Sequence, residues 1–181
     1  MPLIFSRYAP APVLVGLGAF LSCLCIALGG LSAQPAAGQP AGPVVLTVEG
    51  VGDGPMHFDL AMLKALPHRS FTTHTIWTSG EQRFEGVLLR DFLDRIGVER
   101  GELVVRAAND YSIAIPISDA TDPGPIIAYA RNGAPMSLRD KGPLWLVYPY
   151  DADPAWRTEV VYSRSIWQLD HMTIAPEGAS Q

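Results

Sequence analysis

Hydrophobic and polar positions set out a run of short elements. Val44, Leu46 and Val48 alternate with Val45, Thr47 and Glu49, the two-residue period of a strand, and the glycine-rich residues 50–54 break it. Asp59 precedes Leu60, Met62, Leu63 and Leu66, and Pro67 closes the run, which predicts a short N-capped helix. Residues 71–77, rich in threonine and aromatics, predict a strand. Phe84-Glu85-Gly86-Val87 then leads into Leu88, Leu89, Phe92, Leu93 and Ile96, which share one helical face, with Gly97 as terminator. Residues 103–107 and 111–117 flank Asn109-Asp110, a polar break typical of a hairpin. Residues 126–130, the Asn132-Gly133 pair and residues 144–148 add at least two strands. A last strand over 172–175 follows a helix or turn containing Ser165-Ile166-Trp167. With no internal repeat and no regular strand-helix alternation, the expected class is α+β, with mixed or antiparallel β-sheets and short helices.

The pattern changes character toward the N-terminus. Residues 13–31 are an uncharged apolar run, preceded by Arg7 and followed by the small Ser32 and Ala33, the order of a cleavable signal peptide over 1–33. The run is also long enough for the alternative, an uncleaved membrane anchor. Either reading places the remainder outside the cytoplasm, periplasmic or secreted. Residues 34–43 are all Gln, Pro, Ala and Gly, a flexible linker by composition. The folded domain is expected over 44–176, with 177–181 as a tail.

Cysteine and charge narrow the function classes. Cys23 and Cys25 are the only cysteines, so residues 34–181 form no disulfide and offer no thiolate to a substrate or metal. The chain carries a net charge of −5, and loses a further positive charge if Arg7 is removed with the leader. A nucleic-acid partner, which needs clustered Lys and Arg, is excluded on that balance.

Candidate chemistry is sparse. His57, His68, His74 and His171 fall at no ligand spacing, so no metal site is expected from them. Asp110 and Tyr111 sit on the hairpin, where they either serve the turn or point into a ligand groove. Arg131, Arg139, Asp140 and Lys141 cluster around a turn, as a solvated loop or an anion site. Trp145, Tyr148, Tyr150, Trp156 and Trp167 crowd the last third and predict core or rim packing, a few of them lining a pocket or interface. No Ser-His-Asp order, phosphate-binding glycine loop or paired-carboxylate motif is present.

Four segments, taken together, resemble a known family. Phe84-Glu85-Gly86-Val87-Leu88-Leu89, Ala107-Ala108-Asn109-Asp110-Tyr111-Ser112, Asn132-Gly133-Ala134-Pro135-Met136 through Gly142-Pro143-Leu144, and Ser165-Ile166-Trp167-Gln168-Leu169 occur in the order and spacing of the sulfite oxidase-type molybdopterin-binding oxidoreductase domain, over residues 44–175. The resemblance implies that fold and a molybdenum held by a pterin dithiolene and a cysteine thiolate, a soft donor that tunes the metal. It places the cysteine in or next to Thr72-Thr73-His74-Thr75-Ile76-Trp77, where this chain has none. It also implies a basic residue for the pterin phosphate near Trp145, where an indole stands, with Arg139 and Lys141 as upstream substitutes.

The resemblance therefore carries the fold further than the chemistry. Thr73, His74, Thr75, Asp110, Tyr111, Arg139 and Lys141 are the candidate cofactor- or ligand-binding residues, and no catalytic residue is assigned. The leading expectation is an exported, non-catalytic binding or accessory module, sensing a small anionic ligand for a membrane-bound partner protein. One alternative is a divergent molybdopterin-dependent oxidoreductase that holds its cofactor without a cysteine ligand. The other is a structural interaction protein with no ligand.

Overall fold

The computed structural model describes residues 38–175; the signal peptide and its alternative anchor, both cysteines, the first part of the linker and the tail lie outside them. Ten strands and three short helices follow one another: β1 (Val44–Glu49), β2 (Met56–Asp59), α1 (Leu60–Lys64), β3 (His68–His74), β4 (Glu81–Leu88), α2 (Leu89–Ile96), β5 (Glu102–Ala107), β6 (Ser112–Pro116), β7 (Ile126–Arg131), β8 (Ala134–Pro135), β9 (Trp145–Val147), α3 (Glu159–Arg164) and β10 (Leu169–Ala175). The class is α+β, as the pattern predicts.

The strands form two sheets. The first runs β2-β1-β10-β5-β6, antiparallel throughout except for the parallel pair β1 and β10, which sets Thr47 opposite His171 and Glu49 opposite Thr173. The second runs β3-β4-β7-β8, with β9 also paired to β7, and is wholly antiparallel. A single bridge between Trp145 and Trp167 ties β9 to the chain just before β10. One apolar cluster draws on both sheets and on α2, including Leu46, Phe84, Phe92, Leu103, Leu146 and Met172.

Local chemistry fixes the turns. The Asp59 carboxylate accepts from the Met62 N–H at 2.8 Å, capping α1, and also from the N–H groups of Ala41 and Gly42. Those two residues, the end of the stretch read as linker, are thus held against the domain. The N–H of Met62, followed by those of Gly42 and Ala41, holds the Asp59 carboxyl below its ordinary range against the opposing effect of burial. Gly97 ends α2 in the left-handed conformation, and Asn132 and Gly133, both at positive φ, make the two-residue turn that joins β7 to β8. Gly86 lies where a Cβ would fall 2.2 Å from the Ile127 carbonyl oxygen, so β4 can approach β7 only with glycine there.

Several boundaries differ from the pattern. The strand expected over 71–77 is β3, displaced to His68–His74. Leu88 ends β4 instead of opening the helix, because the partly buried strand Glu81–Leu88 runs directly into α2 with no polar break. The four residues of β2 follow too soon after a glycine-rich turn to show a period. Ser165-Ile166-Trp167 is neither helix nor turn: the helix is α3, one step earlier, where Thr158 Oγ1 caps it by accepting from the Val161 N–H at 3.3 Å. Among the described residues no helix is long and apolar enough to cross a membrane.

Candidate functional site

The chain leaving β3 builds one wall of the site. Thr73 is buried, and its hydroxyl accepts from the Asp151 N–H at 3.1 Å and donates to the His74 carbonyl at 3.4 Å. The Asp151 carboxylate in turn accepts from the His74 backbone N–H at 2.7 Å and from His74 Nδ1 at 2.9 Å. The His74 backbone N–H, then its ring, holds Asp151 below the ordinary carboxylate range. These bonds fasten the end of β3 to the loop after β9. Thr75 and Thr78 then share a hydroxyl–hydroxyl bond of 2.7 Å, and Thr75 Oγ1 accepts from the Trp77 N–H. The resulting turn swings the Trp77 indole inward.

Trp77 enters an aromatic cluster. Its ring lies 5.8 Å from Trp145, 6.3 Å from Tyr150, 5.8 Å from Tyr162 and 5.5 Å from Trp167, each pair edge to face. Buried polar atoms in the cluster are bonded: Trp145 Nε1 donates to the Ser165 carbonyl, and the Tyr150 hydroxyl to Ser165 Oγ. Behind it, the Tyr148 hydroxyl donates at 2.9 Å to Asp119, which also pairs with Arg164 at 2.8 Å. Burial, reinforced by the Asp119 carboxylate, pushes the Tyr148 hydroxyl far above its ordinary pKa; burial does the same to Tyr150.

In front of the cluster lies a cavity of about 360 Å³ walled by Trp77, Tyr111, Tyr162 and Trp167. Ala107 and Ile166 complete its apolar lining, and Asn109, Ser163 and Ser165 supply its polar atoms; among the described residues no Lys, Arg, Asp or Glu lines it. The wall comes from three places: the turn after β3, the β5–β6 hairpin, and the stretch from α3 to β10. Tyr111 is tied across the mouth, its hydroxyl donating to the Ser163 carbonyl at 3.2 Å.

The structure gathers only some of the residues singled out by sequence. Tyr111 lines the cavity; Asp110 does not, adopting a positive φ in the turn and pairing with Arg106 at 3.1 Å on the surface. Thr73, His74 and Thr75 stand behind or beside the cavity as fasteners of the turn. Lys141 lies outside the lining, its ammonium 4.1 Å from the Trp167 ring centre and 5.6 Å from that of Trp145. Arg139 is exposed and forms no ion pair with a described residue, while Arg131 pairs with Asp140 at 2.7 Å. Trp77 and Tyr162 are the residues that sequence reasoning missed as site groups. Trp77 was legible only as the end of a strand, and Tyr162 lies on a helix of six residues, too short for its period to show.

Residues 39–152, more than half of the chain, match the family model described as oxidoreductase molybdopterin binding domain. An uncharacterized oxidoreductase, YuiH, from Bacillus subtilis is 28% identical over 111 residues, covering 58% of this chain and 56% of that protein. The crystal structure of the sulfane dehydrogenase SoxCD from Paracoccus pantotrophus superposes with a TM-score of 0.57 at 18% identity, covering 75% of this chain and 39% of that one. This chain thus spans little over half of the first protein's length and about two fifths of the second's.

Proposed function

Since this chain belongs to the oxidoreductase molybdopterin binding domain family, we propose that it uses the family's fold as an exported, non-catalytic binding module. One observation carries the reading. The turn after β3, where the resemblance calls for a metal-binding thiolate, contains no cysteine and instead sends Trp77 into a closed aromatic cluster.

The residues present do not fit a thiolate-held molybdenum. The Thr73 and Thr75 hydroxyls are neutral, hard donors already engaged in hydrogen bonds, and His74 Nδ1 is bonded to Asp151. Among the described residues, no group of three or more side chains of metal-binding type comes together. The cofactor's phosphate fares no better. Trp145 is fully buried where a cation would be needed, and the ammonium of Lys141 is directed at indole rings. No step of molybdenum chemistry is therefore assigned to this chain.

What the site can do is bind. Its cavity is of ligand size, largely apolar, and carries a few placed polar groups on elements fixed by hydrogen bonds, the usual make-up of a small-molecule pocket. Metal and pterin analysis of protein purified from its native compartment tests the reading: molybdenum well below one per chain, with no turnover of sulfite or sulfoxide, is expected. Stoichiometric molybdopterin with turnover overturns it. Export rests on Arg7, the apolar run over 13–31 and Ser32-Ala33. Intact-mass measurement should find a mature N-terminus close to Gln34, and a full-length cytoplasmic species as the sole product would refute export.

A further inference from the structure

Three of the four rings around the cavity, Trp77, Tyr162 and Trp167, are not arranged as a slot. Trp77 stands at 87° to Tyr162 and at 75° to Trp167, so neighbouring walls meet near right angles. A flat heteroaromatic ligand stacks best between parallel faces, whereas a compact, rounded group can touch several perpendicular rings at once. Aromatic faces carry negative potential, and a box of them attracts a positive charge spread over methyl groups.

Charge and lining agree with that choice. Among the described residues no basic or acidic side chain lines the cavity, so an entering anion would lose its water without a charged partner. A weakly hydrated cation, by contrast, can be answered by the aromatic rings and neutral oxygens of the lining. The chain carries a net charge of −5, a field that favours the approach of cations. The same aromatic set already seats an ammonium group: Lys141 Nζ lies 4.1 Å from the Trp167 ring centre, from outside the cavity. The Ser163 carbonyl, held by the Tyr111 hydroxyl, and Asn109 add neutral polar atoms at the rim.

We propose that the cavity walled by Trp77, Tyr111, Tyr162 and Trp167 binds a small alkylammonium cation through its methylated head group. This inference rests on the binding-module reading and names the ligand class of that same site.

The test is a calorimetric and tryptophan-fluorescence titration of the exported protein with choline and tetramethylammonium. The neutral choline isostere 3,3-dimethylbutan-1-ol and the planar heteroaromatic lumazine serve as counter-probes. Saturable binding of both cations is expected, with the neutral isostere weaker by about tenfold or more. Trp167→Phe, which keeps an aromatic ring, and Tyr111→Ala, which removes a half-exposed one, should both weaken choline binding while circular dichroism shows an unchanged fold. Equal affinity for the neutral isostere, preference for lumazine, or no cation binding in folded protein would each overturn the proposal. Molybdenum content is read on the same samples. A stoichiometric metal overturns the binding-module reading, whereas metal-free protein that ignores the cation's charge overturns this inference alone.

Discussion

The surroundings of α2 and the surroundings of Trp145 are both densely buried, but they are held together by different physics. Around α2, Leu89, Phe92 and Leu93 belong to one apolar cluster with Leu63 and Phe58, and these buried side chains carry no polar atom; the hydrogen bond of Arg90 to the Ala120 carbonyl lies at its margin. Around Trp145 most rings carry a polar atom, and the fully buried ones are answered: Trp145 by Ser165, Tyr150 by Ser165 and Tyr148 by Asp119. The first region is specified by volume and the second by volume and bond direction together. Only the second opens onto the aromatic cavity. Directional bonds hold the back of a pocket rigid while its front stays open.

That contrast can be broken most forcefully on the aliphatic side. Phe92 is fully buried and packs edge to face on Phe58 at 5.2 Å. Phe92→Ala should cost about 3–5 kcal/mol, read as a lower midpoint in urea unfolding, because a cavity and a lost transfer term add. A loss comparable to a surface substitution would mean that the region is not the volume-specified core described above.

On the aromatic side the expected effect is smaller and depends on pH. Tyr148→Phe removes a bond to a carboxylate, at a cost of about 1–3 kcal/mol near neutrality. The native hydroxyl's raised pKa also sets a sign. Above pH ~10 the unfolded tyrosine ionises while the folded one keeps its proton, so the unfolded state binds fewer protons and stability falls as pH rises. Urea midpoints from pH 8 to 11 should show a steeper alkaline decline in the native protein than in Tyr148→Phe. Parallel curves would contradict the burial of a neutral hydroxyl there.

The smallest effect is expected at the cavity mouth. Tyr111 is 46% exposed, and its hydroxyl donates to the Ser163 carbonyl. Tyr111→Ala should shift stability by no more than about 0.5 kcal/mol, as surface substitutions do. A thermal melt displaced by many degrees would show that the mouth belongs to the core.

The two regions also differed in how far they could be read from sequence. Leu89, Phe92, Leu93 and Ile96 recur at helical spacing, so α2 and its buried face were legible, as were the Asn109-Asp110 hairpin and the Asn132-Gly133 turn. The lack of a repeat and of regular strand-helix alternation pointed to the α+β class, and the four family segments to the particular fold. The site was legible only in part. Tyr111 stood out by its place on a hairpin and Trp167 as one of the crowded aromatics, but Trp77 and Tyr162 come together only across the fold, the second on a six-residue helix where no period points. Thr73 and His74 drew notice for a reason other than the bonds they make. As neighbours of an expected ligand they looked like pocket residues, whereas their hydrogen bonds to Asp151 make them fasteners. Lys141 looked like an anion binder because charge is visible in a sequence and the ring beneath it is not.

The parallel pairing of β1 with β10 has a consequence for how the molecule comes into being. β10 lies at the centre of the first sheet, between β1 and β5, yet it is the last described strand to be synthesised. Until residues 169–175 have emerged, β1 lacks its inner neighbour and the β5–β6 hairpin has nothing to close against. Long-range pairings of this kind form late, since the intervening chain must first be brought together. Growth of the polypeptide therefore cannot seal the fold strand by strand, and the order of synthesis keeps the first sheet open until residues 169–175 have been made.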